Sequence, residues 1–140
     1  KQKIWTCVER KTGFGMAEKL DYVTAEIVNE KCTSRFKKIP KKKRLTLTRD
    51  NGPEFGDYDK TLEWRTGIEV YRAHPYHSWE RGSNENWNGL LRQFFPKGML
   101  FASIKQTDVE RIVKLLNTRP RKRLGYATPQ EAFKRCGDSD

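Results

Sequence analysis

The chain has 140 residues, and 29 Lys and Arg stand against 18 Asp and Glu, a formal net charge of +11. That length fits one domain over 1–140 with a single core of ordinary size, and the surplus of cations suits a polyanion, most often nucleic acid. No apolar run approaches the ~18 residues of a membrane span, no signal peptide opens the chain, and Cys7, Cys32 and Cys136 follow no C-x-x-C spacing, so a membrane, a zinc centre and a disulfide framework are set aside and a cytoplasmic, reducing location is expected.

In chain order, "KIWTCVERKTGFGMAEKL" (Lys3 to Leu20) reads as a β-hairpin: strand formers on either side of the turn "KTG". Asp21 is a candidate cap for a helix whose partial stripe is Tyr22, Ala25, Ile27, Val28 and Phe36, stopped by Pro40. The basic connector "KKIPKKKR" leads to the strand "RLTLTRD" (Arg44 to Asp50), with Leu45 and Leu47 on one face. "YDKTLEWRTG" predicts a short helix closed by Gly67, and "IEVYRAH" a further strand. Pro and Gly punctuate "HPYHSWERGS", and the proline argues against His74 and His77 forming a metal pair.

A helix is predicted from Ser83, with Trp87, Leu90, Leu91 and Phe94 at core spacing. "TDVERIVKLLNTRP" is the clearest amphipathic helix, with Thr107 and Glu110 as a capping box and Val109, Ile112, Val113, Leu115 and Leu116 as its core face. After the basic loop "RPRKR", "TPQEAF" starts a last helix with proline at its first position. Hairpin, helix, strand, helix, strand, helices is the order of an α/β layer fold with a mixed sheet flanked by helices.

Two acids stand out against the basic background. Asp50 ends a strand, and that sheet edge is where α/β proteins build sites, although Asp-Asn-Gly also makes a plain turn. Glu85 lies in the first turn of its helix, where an acid also suits the helix dipole. At about 100° per residue, Asn88, Gly89 and Arg92 share its side while Trp87, Leu91 and Phe94 share another. Carboxylates gathered at a sheet edge can hold Mg²⁺ or Mn²⁺, and two such ions serve phosphoryl transfer. The segments Lys37, Lys38, Lys41, Lys42, Lys43, Arg44 and Arg119, Arg121, Lys122, Arg123 would carry DNA phosphates, or form solvated loops; neither interleaves with aromatics, so stacking on single strands is not indicated.

"RDNGPEF", "HPYHSWERGSNENWNGLLRQFFPKG" and "LNTRPRKRLGYATPQEAF" together resemble the catalytic core of DDE transposases and integrases, in the insertion sequence thirty family. The resemblance runs over nearly the whole chain. It implies a ribonuclease-H-like fold, two divalent ions (Mg²⁺ or Mn²⁺), strand cleavage by water and attack by a 3′-hydroxyl on target DNA. It also implies transposon ends and target DNA as partners, a homo-oligomer, and a nucleoid-associated place in the cytoplasm. The family's second acid falls on Asp50 and its last on Glu85, 35 positions later. Asn51 and Gly52 then shape the turn, and Asn84, Asn88 and Arg92 line the site or touch DNA.

The family's first aspartate lies on a strand before the opening hairpin, and only two of the three expected strands can be fitted. Glu9, near the hairpin turn, matches the second of those strands and is not expected to replace that acid. The expectation is a chain that starts after it, inactive alone, with unpaired sheet edges open to rearrangement or to another chain. A non-catalytic DNA-binding or assembly module and another nuclease of the same fold, such as a junction resolvase, are the alternatives. The Asp50 to Glu85 spacing and the "NENWNGLLRQFFPKG" wording favour the transposase.

Overall fold

The computed structural model describes residues 3–49, 58–73, 82–96 and 103–136. Asp50, Asn51, Gly52 and the segment from His74 to His77 lie outside the described residues. The elements are β1 (Lys3–Val8), β2 (Gly15–Leu20), α1 (Ala25–Lys37), β3 (Thr46–Arg49), α2 (Asp59–Thr66), β4 (Glu69–Arg72), α3 (Gly82–Arg92), α4 (Gln106–Asn117) and α5 (Pro129–Arg135). They fall into two compact units, one over Leu20–Arg81 and the other over Gln2–Lys19 with Gly82–Asp140. Among the described residues the strands pair as two two-stranded sheets, β1 with β2 and β3 with β4.

In the unit built from the hairpin and α3 to α5, the turn is held by its own side chains. The Glu9 carboxylate accepts from the N–H groups of Lys11 (2.6 Å) and Thr12 (3.0 Å), and Gly13 adopts φ +76°. Only glycine enters that region without steric cost. Glu9 is thus a turn-forming residue. Ala17 on β2, Trp87 and Leu91 on α3, Phe95 just after it, Ile104, and Val109, Ile112 and Leu116 on α4 form one apolar core, with Ile4, Val8, Leu90, Phe94 and Val113 against it. Gly15 lies so close to the Trp87 indole that a β-carbon there would overlap the ring. Phe14 stacks on Phe133 of α5, with ring centroids 4.5 Å apart.

Three sequence expectations change here. Leu115 is exposed and does not join the α4 core face; Asn117 does, at 5 % exposure. Helix α4 begins at Gln106, one residue before Thr107, and the N–H of Lys105 donates to Asp108 Oδ2 (3.0 Å) in place of the expected Thr107–Glu110 box. Gln106 reaches back so that its Oε1 accepts from the Lys19 N–H (2.8 Å), and this tertiary bond sets the helix start. Helix α3 ends at Arg92, and the chain turns through Gln93 to Phe95 with 3.0–3.2 Å bonds to Leu90 and Leu91.

In the other unit, β3 and β4 are parallel, with Thr46 opposite Glu69 and Arg49 opposite Arg72. Helix α2 makes the crossover and is closed by Gly67 at φ +78°, whose N–H donates to Glu63 O (2.8 Å). The cap of α1 is Thr24, whose Oγ1 accepts from Ile27 N–H, and not Asp21. The buried side of α1 is Val28, Asn29, Cys32, Thr33 and Phe36, while Tyr22 is exposed. Leu45 precedes the strand and is exposed; the inward residues of β3 are Leu47, half-buried, and Arg49, buried. Burial pushes the Cys32 thiol up to about 11 against the opposing charge of Arg49, so it stays protonated and unreactive.

Candidate functional site

Helix α3 separates its residues as its periodicity predicts. Trp87 and Leu91 are buried and Leu90 is half-buried, while Glu85, Gly89 and Arg92 are exposed and Asn84 and Asn88 are half-buried. Among the described residues neither Glu85 nor Arg92 has a hydrogen-bond or ion-pair partner. The Oδ1 of Asn88 is buried with no donor reaching it. A β-carbon at Gly89 would meet nothing within 4 Å, so the helix presents open space there. The ridge therefore carries, in under two turns, an exposed carboxylate, a half-buried amide whose oxygen lacks a donor, a gap and a cation. The packed indole of Trp87 fixes the helix that carries them.

The strand that leads to Asp50 is braced just before it. Asp59, in the first turn of α2, accepts from Arg49 Nη1 (3.0 Å) through Oδ1. It also accepts from Arg72 Nε (2.8 Å) through Oδ2 and from Arg72 Nη2 (3.1 Å) through Oδ1. The Ala73 N–H donates to Arg49 O at 2.7 Å. Arg49 is only 3 % exposed, so its charge is held inside the unit by Asp59. Asp59 is the first residue of α2. The structure makes it the hub that joins β3, β4 and α2, and no local pattern announces this because its partners lie 10 and 13 residues away.

The basic candidates divide into two kinds. Lys41–Lys43 form a 3-10 turn after Pro40, with Lys41 and Lys42 exposed and Lys43 half-buried. Arg44 is occupied structurally: its Nε donates to Ile39 O (2.8 Å) and its Nη1 to Thr66 O (3.1 Å). At the other segment, Arg119, Lys122 and Arg123 are exposed and Arg121 is half-buried. Arg123 Nη1 donates to Lys11 O (3.0 Å), tying this loop to the hairpin turn. No group of three or more His, Cys, Asp and Glu that could hold a metal occurs among the described residues. No helix of the described residues is long and apolar enough to cross a membrane.

No protein-family model matches the chain. The transposase of insertion sequence element IS4351 from Bacteroides fragilis is 51 % identical to it over 89 residues, covering 64 % of this chain and 27 % of that protein. The probable transposase of element IS1161 from Streptococcus salivarius is 42 % identical over 130 residues, 93 % of this chain and 36 % of that protein. Transposase InsI of element IS30A from Escherichia coli K12 is 38 % identical over 134 residues, 94 % and 34 %. The chain thus spans about a third of the length of these relatives. Among solved structures, the catalytic core domain of BIV integrase superposes with a TM-score of 0.73, covering 94 % of this chain and 85 % of that one at 23 % identity. That likeness shows the fold, which is α/β and ribonuclease-H-like.

Proposed function

We infer the function from the family: this chain belongs to the transposases of the insertion sequence thirty group, and we propose that it is part of the domain that cuts and joins DNA strands. The observation that carries this is the identity to transposases over 93–94 % of the chain. The exposed carboxylate of Glu85 on the polar ridge of α3 supports it. In this reading residues 1–140 are an integrase-type catalytic core region, Asp50 and Glu85 are catalytic and bind metal, and DNA is the partner, inside the cytoplasm at the nucleoid.

Carboxylate oxygens are the donors that Mg²⁺ and Mn²⁺ prefer, and Glu85 is exposed and has no competing partner among the described residues, so the residue present suits the ion. Two such ions, when bound, activate the attacking oxygen and stabilise the leaving one. The chain's own contribution is positional. The packed indole of Trp87 holds α3 so that Glu85 stays on the open side. Asn88 follows one turn on, half-buried, and the exposed Arg92 offers a cation for phosphate. Asp59 braces the end of β3 through Arg49.

Two carboxylates supply too few oxygens for two ions, so strand cleavage by these 140 residues alone is not expected. Titration with Mn²⁺ followed by electron paramagnetic resonance tests the assignment. Glu85→Gln and Asp50→Asn should each weaken Mn²⁺ binding about tenfold, the scale of ~1.4 kcal/mol, with unchanged circular dichroism. Equal affinity in both variants would remove these residues from the site. A chain that retains duplex DNA yet holds no Mn²⁺ would be a DNA-binding module.

A further inference from the structure

We propose that the loop from Arg119 to Tyr126 is a clamp for single-stranded DNA, in which Arg119, Arg121 and Lys122 hold phosphates and the ring of Tyr126 stacks on an unpaired base. This rests on the DNA reading above and names a contact for it.

The loop is built rather than loose. The Arg121 N–H donates to Ala127 O (3.0 Å), and the Tyr126 N–H donates back to Arg121 O (2.9 Å). A 3-10 turn over Lys122–Leu124 fills the space between, with Leu124 N–H on Arg121 O and Gly125 N–H on Lys122 O, both 3.0 Å. Arg123 fastens the loop to the hairpin through Lys11 O. A β-carbon at Gly13 would sit 2.9 Å from Arg123 Nη2, so the contact is close.

The charges on this loop are not balanced from within. Among the described residues no carboxylate pairs with Arg119, Arg121, Lys122 or Arg123. Partial burial and the neighbouring charges of Arg119 and Arg123 hold the Arg121 guanidinium below its usual range. Crowded cations with no internal anion suit an external phosphate chain.

Tyr126 adds the second half of the site. It is the one non-glycine residue with positive φ among the described residues, at +69°, directly after Gly125 at +64°. Glycine would adopt that backbone freely, whereas an L side chain is strained there. The ring buries little inside the fold in return, since it is 68 % exposed. A flat ring beside phosphate-binding cations is the arrangement that stacks on bases of a single strand, because every base offers a π face once it is unpaired. A closed duplex hides those faces, which selects the single strand. The sequence showed no aromatic within the basic run; the turn brings Tyr126 onto the backbone of Arg121.

Fluorescence anisotropy on a labelled thymidine oligonucleotide and on a duplex, with the whole chain, tests this. Tyr126→Gly should weaken single-strand binding about tenfold, within the range of base stacking. It should leave duplex binding unchanged and give a thermal midpoint equal to or above that of the parent. Tyr126→Phe should bind like the parent. Arg121→Gln should weaken both ligands and flatten the single-strand salt slope by about 0.7. Single-strand affinity unaltered in Tyr126→Gly would overturn the proposal, as would a lowered thermal midpoint with both ligands lost together. Loss of self-association in sedimentation, with DNA binding intact, would also overturn it by assigning the ring to a protein contact. If the unaltered chain binds neither oligonucleotide at low salt, the DNA reading fails as well, whereas indifference of the variants alone defeats only this clamp.

Discussion

Asn117 does work that no neighbour in sequence hints at. Its Oδ1 accepts from the Gly15 N–H and its Nδ2 donates to Gly15 O, both at 2.9 Å across 102 residues. The amide thereby completes the hydrogen bonds of a buried backbone position where β2 begins. Asn117→Ala would strand both groups, at about 1–3 kcal/mol each, so urea denaturation should show a loss of roughly 2–6 kcal/mol. A loss under about 0.5 kcal/mol, the range of ordinary surface substitutions, would refute this role of Asn117. Glu85 is the opposite case. Its place on the polar side of α3 follows from helical periodicity alone, and the structure puts it there, exposed. The role of Asn117 could not be read, because alternation and periodicity describe a face and not a partner.

Among the elements, α5 has the start that its sequence announces. The Thr128 N–H donates to Glu131 Oε1 (3.0 Å), and the Glu131 N–H donates to Thr128 Oγ1 (3.1 Å), with Pro129 at the first helical position. Hydrogen bonds to the carboxylate from the backbone N–H and the side chain of Thr128 hold the Glu131 carboxyl below its ordinary value of 4.5. A depressed carboxylate pKa contributes stability that is complete above the unfolded value and is lost as pH falls through the folded one. Amide exchange protection in α5 should therefore decline as the solution is acidified below about 4.5, and Glu131→Gln should remove that dependence. Protection in the variant that still tracked pH through this range would show that another group is responsible. At α4 the same motif misleads, because Asp108 and the bond from Lys19 to Gln106 place the start one residue earlier. Local capping codes hold where no tertiary bond competes.

At the scale of the molecule, the +11 charge is what a polyanion meets first. Binding to duplex DNA of arbitrary sequence should be measurable at low salt. It should fall about 10³-fold or more between 50 and 200 mM salt, the loss expected for six or more phosphate contacts. A flat salt dependence would mean that the excess charge lies away from the DNA. The βαβ crossover of β3, α2 and β4 and the hairpin were both legible, because strand propensity, turn glycines and helix periodicity agree there. What escaped was the occupation of charge: Arg44 on two carbonyls, and Arg49 with Arg72 on Asp59.

The sequence by itself determined the order of elements, the amphipathic sides of α3 and α4, the glycine that closes α2 and the family, since these depend on local spacing and on wording carried along the chain. Only the tertiary structure decided which polar groups are committed. A hydrogen bond or ion pair needs two groups at about 3 Å, and residues far apart in the chain meet only when the core has brought their elements together.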